Sequence, residues 1–188
     1  SQYTGIPAIH NGADDNASGT SAVIELARIL KEKSATASSF NKNNYCFINF
    51  SGEELGLYGS KYFLDHSPIN INKINYMINA DMIGRLNDST KMLTVGGVGT
   101  STAWPDVIAE NTEFKLKIDS SGTGPSDHTS FYRKNIPVLF FFTGLHADYH
   151  KPSDDADKIN YTGEVSIISY ILKIIEATDS KGKLDFTK

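Results

Sequence analysis

Four short polar segments of this chain combine residue types that can perform chemistry. One precedes a helix-like stretch, and the others follow apolar runs that are typical of buried strands. The segments are residues 12–19, 51–56, 79–84 and 146–155. Two have simple alternatives, because Asp, Asn and Ser also begin helices and paired acids also occur in solvated turns. Glu53 and Glu54 are adjacent, however, and neighbouring carboxylates repel each other unless a cation or a proton intervenes.

The residue types in these segments favour zinc as the cation. Carboxylate oxygens and imidazole nitrogens bind zinc in proteins, and no thiolate is required. A carboxylate between two metal ions about 3.5–4 Å apart forms a two-metal hydrolytic centre. Such a centre also needs a free base that takes a proton from the activated water. In the pair Glu53–Glu54, one residue can serve as that base and the other as a ligand.

Helix-like and strand-like segments alternate along the chain, and the folded arrangement of these elements must bring the four polar segments together. Helices are predicted over residues 17–33, 57–66, 102–111 and 162–177, and strands over residues 45–50, 74–80, 91–95, 114–118 and 137–142. The alternation predicts an α/β fold, a three-layer α/β/α sandwich with a mostly parallel, mixed central sheet. Ligands bind beyond the carboxyl ends of the strands in such sheets, where the polar clusters fall. Cys46 lies within the run 45–50 and is expected to be a small buried hydrophobe.

Composition narrows the classes of function further. The chain has 188 residues, a size typical of one domain, and a net charge of −4, which argues against a nucleic-acid-binding protein. No apolar run approaches the roughly 20 residues that a membrane-spanning helix needs. The single cysteine excludes an intramolecular disulfide and a cysteine-rich zinc site. Arg28, Arg85 and Arg133 are the only arginines, so a clamp for a peptide carboxylate is poorly provided.

Five segments, in this order, resemble the co-catalytic zinc aminopeptidase family, which includes leucyl aminopeptidases and glutamate carboxypeptidase-like metallopeptidases. They are Gly-Ala-Asp-Asp-Asn-Ala-Ser-Gly (12–19), Gly-Glu-Glu-Leu-Gly-Leu-Tyr-Gly-Ser (52–60), Asn-Ala-Asp-Met-Ile-Gly (79–84), Ser-Asp-His-Thr-Ser-Phe (126–131) and Asp-Tyr-His-Lys-Pro-Ser-Asp (148–154). Any one of them is a weak signal, whereas five in order are specific. The resemblance implies a metallo-aminopeptidase, a zinc-dependent exopeptidase that hydrolyses N-terminal residues from peptide substrates. It also implies a secreted or periplasmic location.

The resemblance implies a role for each matching residue. Asp15 matches the carboxylate that bridges two zinc ions and that is followed by a cis peptide bond. The other matching metal ligands are Glu54 and His150 for one ion and Asp81 for the other. Glu53 matches the general base, and Tyr149 matches a position that in some relatives donates a hydrogen bond to the tetrahedral intermediate. Further residues that match supporting positions around the site are Asp127, His128 and Asp154.

One part of the family pattern has no counterpart in this chain. The family's first metal ligand is the histidine of a His-x-Asp segment, and none occurs among the 14 residues before Asp15. We therefore expect residues 1–188 to form a single zinc-peptidase catalytic domain that is N-terminally incomplete, with a sheet that lacks its first strands. One site keeps three ligands, so we expect one zinc or none instead of two, and weak activity. His146 lies four residues before His150, and we expect it to line the cleft or form hydrogen bonds instead of binding metal.

Three other functions remain open at the level of sequence. Glutaminyl cyclase, a single-zinc acyltransferase, shares the fold and would suit a three-ligand site. A carboxypeptidase would need the carboxylate clamp that the scarce arginines do not supply. An inactive binding module would have no chemical need for the acidic pair Glu53–Glu54. No prediction follows for the preferred substrate residue or for the oligomeric state.

Overall fold

Five α-helices and four strands form the regular framework of the computed structural model, which describes residues 7–36, 40, 42–109 and 113–188. The helices are α1 (Gly19–Thr36), α2 (Tyr58–Asp65), α3 (Trp104–Ile108), α4 (His128–Tyr132) and α5 (Tyr161–Asp179). The strands are β1 (Met77–Ala80), β2 (Met92–Gly96), β3 (Lys115–Ile118) and β4 (Val138–Phe142). A turn at Ala13–Ser18, whose backbone is non-helical at Asp15 and Asn16, leads directly into α1.

The four strands form one open, mixed sheet in the order β1-β4-β2-β3. The β1–β4 and β2–β3 pairs are parallel, and the β2–β4 pair is antiparallel. The near-continuous apolar run of β4 suits a strand covered on both faces, and Val138, Leu139 and Phe141 are completely buried. The predicted mixed, mostly parallel sheet is confirmed.

Helices cover both faces of the sheet. Successive side chains of β4 point to opposite faces, so Leu139 and Phe141 join a large core with α1, α3 and α5. Val138 lies on the other face, in a smaller core with Leu64 of α2 and Phe131 of α4. The predicted three-layer α/β/α arrangement is therefore confirmed. Within the described residues, no helix combines the length and apolarity needed to cross a membrane.

The two long helices follow from their apolar spacing. In α1, Ala22, Leu26 and Leu30 recur every fourth residue and are buried. In α5, Ile167, Ile171 and Ile174 are completely buried, and the side chain of the preceding Asn160 accepts a hydrogen bond from Gly163 N at the helix start. These two helices pack beside each other on the face of the sheet that includes Leu139.

The predicted bounds of the observed helices and strands match the structure closely, except that one strand and one helix are shorter than predicted. Strand pairing begins at Met77, so the predicted strand 74–80 is reduced to β1. The predicted helix 102–111 is reduced to α3, which begins at Trp104 with Pro105 in its first turn. Residues 110 and 111 of that prediction lie outside the described residues.

The predicted strand at residues 45–50 is wrong. Residues 44–50 belong to no strand, and within the described residues their backbone groups form no backbone–backbone hydrogen bonds. Ile48 of this segment and Ile78 of β1, an edge strand of the described sheet, both line a cavity of about 740 Å³. An apolar run becomes a strand only where a neighbour pairs its backbone, and no described segment does so here. For the same reason the expectation of a buried Cys46 is wrong, since this cysteine is exposed.

Candidate metal centre

A cavity of about 300 Å³ opens at the carboxyl end of β1. It is lined by acidic residues from four separate segments of the chain. Those residues are Asp15, Glu53, Glu54, Asp81 and Asp127. The position agrees with the predicted edge of the sheet, because Asp81 directly follows the last residue of β1.

Three of the predicted metal ligands converge, because Asp15 and Glu54 line this cavity and His150 contacts both of them. Asp15, Glu54 and His150 each offer one donor atom, and these atoms all lie within 4.8 Å of one another. His150 Nε2 lies 2.8 Å from Glu54 Oε1 and 3.2 Å from Asp15 Oδ2. Two carboxylates and one imidazole, with room for a water, are the donor set of a catalytic zinc site. The residues present therefore fit zinc.

The turn before α1 fixes the position of Asp15. Its peptide bond to Asn16 is cis, as the resemblance implied. The Asn16 amide donates to the carbonyl of Ala80 at 3.1 Å, and its Oδ1 accepts from Met82 N at 3.1 Å and from Gly19 N at 3.0 Å. Asn16 thus joins the Asp15 turn to the strand end that carries Asp81.

Gly19 permits this close approach of the turn to β1. A Cβ atom at this position would lie 2.2 Å from the carbonyl oxygen of Ala80 and 2.5 Å from Asn16 Oδ1. Both distances are far below van der Waals contact, so any side chain would push α1 away from the strand. The glycine is therefore part of the architecture that holds Asp15.

Asp154 holds the same turn from the opposite side. Its Oδ2 accepts hydrogen bonds from the backbone N–H groups of Asp14 at 2.9 Å and Asp15 at 3.0 Å. Its Oδ1 accepts one from Arg85 at 3.0 Å. The expectation that Asp154 supports the site agrees with this geometry.

Glu53 lines the cavity beside the three-donor group. Burial, followed by the negative charges of Asp81 and Glu54, raises the pKa of Glu53 to about 7. Burial and the same two neighbouring carboxylates raise the pKa of Asp15 to about 6. Like charges packed this closely favour either a proton or a cation among them.

Asp81 lies at the cavity but outside the three-donor group. Its Oδ2 accepts a hydrogen bond from the hydroxyl of Ser126 at 2.7 Å, and the same hydroxyl accepts from Asn79 at 2.7 Å. Burial raises the pKa of Asp81. Its role as a ligand of a second ion remains a prediction.

The remaining predicted site residues occupy three different environments. Tyr149 is 37% exposed and stacks on the His150 ring, with centroids 3.7 Å apart. Asp127 is buried, and its Oδ1 has no hydrogen-bond partner. His128 is stacked on Phe140, and burial lowers its pKa to about 4, so it is a neutral core residue.

The match to a protein-family model decides the family. The model described as peptidase family M28 matches residues 3–175, nearly the whole chain. The chain belongs to peptidase family M28. This assignment agrees with the converging carboxylates and imidazole at the carboxyl end of β1.

Relatives of this M28 chain include aminopeptidases, and a glutaminyl cyclase has a similar fold. The chain is 30% identical to aminopeptidase YwaD of Bacillus subtilis over 168 residues. The aligned region covers 84% of this chain and 35% of YwaD. The solved zinc aminopeptidase BSAP of Bacillus subtilis superposes with a TM-score of 0.75 at 27% identity, covering 96% of this chain and 46% of BSAP. The glutaminyl cyclase of Bacteroides thetaiotaomicron, solved with N-acetylhistamine, has a TM-score of 0.61 at 19% identity, covering 88% of this chain and 63% of the cyclase. The M28 chain thus spans about a third to a half of the length of these peptidase relatives.

Sequence reasoning about this M28 chain missed three residues that position the centre. They are Asp14, Asn16 and Arg85. Asp14 and Asn16 flank Asp15 within the matching segment 12–19, so their position in this motif could have indicated that they support the site. Arg85 carries no comparable signal, because only the fold brings it to Asp154.

Proposed function

We propose that this protein is a zinc-dependent exopeptidase that removes N-terminal residues from peptides. The observation that carries the proposal is the convergence of Asp15, Glu54 and His150, with Glu53 lining the same cavity. The names of its M28 relatives support aminopeptidase activity. Peptides are accordingly the proposed substrates.

The proposed zinc ligands are Asp15, Glu54 and His150, which gives one ion per chain. Zinc at this position supplies a Lewis acid that lowers the pKa of water and polarises a carbonyl group. The chain's own task is to hold three donors together, and it does so by fixing each on a different segment. Asp15 is fixed by Asp154, and His150 lies beside both carboxylates before any cation arrives.

Glu53 is the proposed general base. It lines the cavity with Asp15 and Glu54 but is not one of the three donors, so its carboxylate remains available for proton transfer. Its pKa of about 7 suits a group that accepts a proton from the attacking water and then gives it to the leaving amine. A Glu with an ordinary pKa would be a weaker base near neutral pH.

Tyr149 is the proposed donor to the oxyanion. Its ring is held by stacking on His150. Burial, followed by the negative charges of Asp15 and Glu54, raises the pKa of Tyr149. A raised pKa keeps the hydroxyl protonated, and a protonated hydroxyl can donate a hydrogen bond to the developing negative charge.

The charge around the cavity supports removal of N-terminal rather than C-terminal residues. Five carboxylates line the cavity and suit the positively charged amino group of a peptide. Arg85 is already engaged by Asp148 at 3.3 Å and by Asp154 at 3.0 Å, so it is not free to bind a peptide carboxylate. This engagement of Arg85 supports the expectation that a clamp for a peptide carboxylate is poorly provided.

Hydrolysis of aminoacyl p-nitroanilides by the zinc-loaded protein tests the proposal directly. We expect release of p-nitroaniline from substrates with a free amino group and none from the N-acetylated forms. Zinc content is measured on the same sample by atomic emission. Bound zinc without hydrolysis of any aminoacyl substrate would refute the proposed activity, and an absence of bound zinc would refute the proposed metal centre.

A cyclase-like acyl transfer is the second candidate. The three-donor group suits a single zinc ion, and the fold is similar to that of a glutaminyl cyclase. Incubation with a peptide that begins with Gln separates the two reactions by mass spectrometry. Loss of ammonia from the intact peptide indicates cyclisation, whereas loss of the Gln residue indicates aminopeptidase activity.

A further inference from the structure

Asp14 is a completely buried carboxylate that the proposed chemistry does not use. Its Oδ1 accepts a hydrogen bond from Gly84 N at 2.7 Å and lies 3.1 Å from Ser18 Oγ. The same Ser18 hydroxyl accepts from Ile83 N at 3.1 Å. Asp14 therefore joins the turn that carries Asp15 to the segment that follows Asp81.

The other oxygen of Asp14 faces a histidine from a third segment. His146 Nε2 lies 3.1 Å from Asp14 Oδ2. His146 Nδ1 accepts a hydrogen bond from Asp148 N at 3.3 Å, so the proton of the neutral ring is assigned to Nε2, which donates to Asp14. The carbonyl group of His146 accepts from Tyr149 N at 3.1 Å. His146 is thus bound to Asp14 on one side and to the turn before His150 on the other.

The backbone at His150 needs such external support. Its φ angle is +57°, in the left-handed region that residues other than glycine rarely adopt. Conformations of this kind persist where the surrounding structure over-determines them. Neither Asp14 nor His146 is one of the three converging donors, so both are assigned a role through the residues that they hold.

We infer that Asp14 and His146 form a buried positioning pair that holds the His150 segment against the segments of Asp15 and Asp81. The inference deepens the proposed function and rests on it for its consequence in zinc binding. Removing the histidine would leave a buried carboxylate with one partner fewer and would free the turn that presents His150. Neighbours that orient metal ligands commonly change metal affinity about 10–100-fold when they are replaced.

Zinc titration of His146→Ala and His146→Gln tests the inference, with a chromophoric chelator as competitor. We expect His146→Ala to bind zinc about 10–100-fold more weakly than the unsubstituted protein. His146→Gln keeps an N–H donor for Asp14 and should recover most of the lost affinity. Ile174→Val, a substitution in the completely buried core of α5, is the matched control, since it lowers the melting temperature without touching the pair. Full zinc affinity in folded His146→Ala would overturn the inference.

Hydrogen exchange on the metal-free proteins provides a measurement that does not depend on zinc. We expect His146→Ala to speed exchange of the Tyr149 and Lys151 amides, which are bonded within the turn, and to leave amides of α5 unchanged. Unchanged exchange at both turn amides would overturn the inference. If the unsubstituted protein binds no zinc while His146→Ala still speeds this exchange, the proposed function fails and the positioning pair stands.

Discussion

The Nε2 atom of His150 lies 2.8 Å from Oε1 of Glu54, although 96 positions separate the two residues in the chain. Each residue belongs to a polar turn, and neither turn resembles a binding site when taken alone. Their contact exists because the fold brings the His150 turn to Asp15 and Glu54, which line the cavity at the carboxyl end of β1. The fold thus places an imidazole nitrogen and a carboxylate oxygen side by side, although their segments are far apart in the chain.

Replacement of Glu53 by Gln should separate catalysis from metal binding. The amide cannot accept the proton of the attacking water, so we expect kcat to fall about 10²–10⁴-fold. Zinc affinity should change little, because Glu53 is not one of the three converging donors. Steady-state kinetics and a zinc titration on the same preparation measure both effects. A variant that hydrolyses peptides at the unsubstituted rate would remove Glu53 from the mechanism.

Replacement of His150 by Ala should produce the opposite pattern. Loss of one of three ligands weakens zinc binding, so we expect the protein as purified to carry little zinc. His66→Ala is the control, since His66 is exposed at the end of α2, where it contacts Tyr62. Zinc content by atomic emission compares the two variants. Equal zinc content in both would show that His150 is not a ligand.

Most of the sequence prediction depended on local apolar patterns and on the order of motifs along the chain. Buried apolar runs such as β4 and the spacing of α5 are local patterns, so the sandwich could be predicted from them. Asp15, Glu54 and His150 could be proposed as ligands because five motifs match a family in order. The structure brings these three side chains together, and their role as ligands stays a prediction.

Features that depend on partners distant in sequence could not be predicted. Residues 45–50 have the composition of a strand, but strand formation depends on a neighbour that no local pattern reveals. The contacts of Asp14 with His146 and of Arg85 with Asp154 likewise join positions 132 and 69 residues apart. Only the folded chain shows which polar residues support the site and which occupy its cavity.

The metal-free protein should lose stability as the pH rises from about 5 to 8. Glu53 and Asp15 have pKa values of about 7 and about 6 in the folded state, above their ordinary values of 4.5 and 3.8. The folded state therefore holds protons that the unfolded state has released, and their stabilising effect is lost as the pH passes through the folded pKa values. The melting temperature in the presence of a chelator measures this trend.

Zinc should reverse this dependence on pH. A cation binds the deprotonated carboxylates, so we expect added zinc to raise the melting temperature more at pH 8 than at pH 5. Glu53→Gln removes one of the groups whose pKa is raised and should flatten the decline in melting temperature of the metal-free protein. A metal-free melting temperature that rises steadily from pH 5 to 8 would contradict the assignment of these two groups.

Replacement of Gly19 by Ala should damage both the fold and the metal site. The new Cβ would lie 2.2 Å from the carbonyl oxygen of Ala80, a backbone atom of β1 that cannot move aside without disturbing the sheet. We expect a loss of about 1–3 kcal/mol in the free energy of unfolding, measured by urea titration of the metal-free protein. Zinc affinity should fall as well, because the displaced Asn16 no longer ties the Asp15 turn to the end of β1. Ile24→Ala, at a position of α1 that is 62% exposed, is the control and should change stability by no more than about 0.5 kcal/mol. Equal stability of Gly19→Ala and the unsubstituted protein would show that α1 can shift away from β1 without cost.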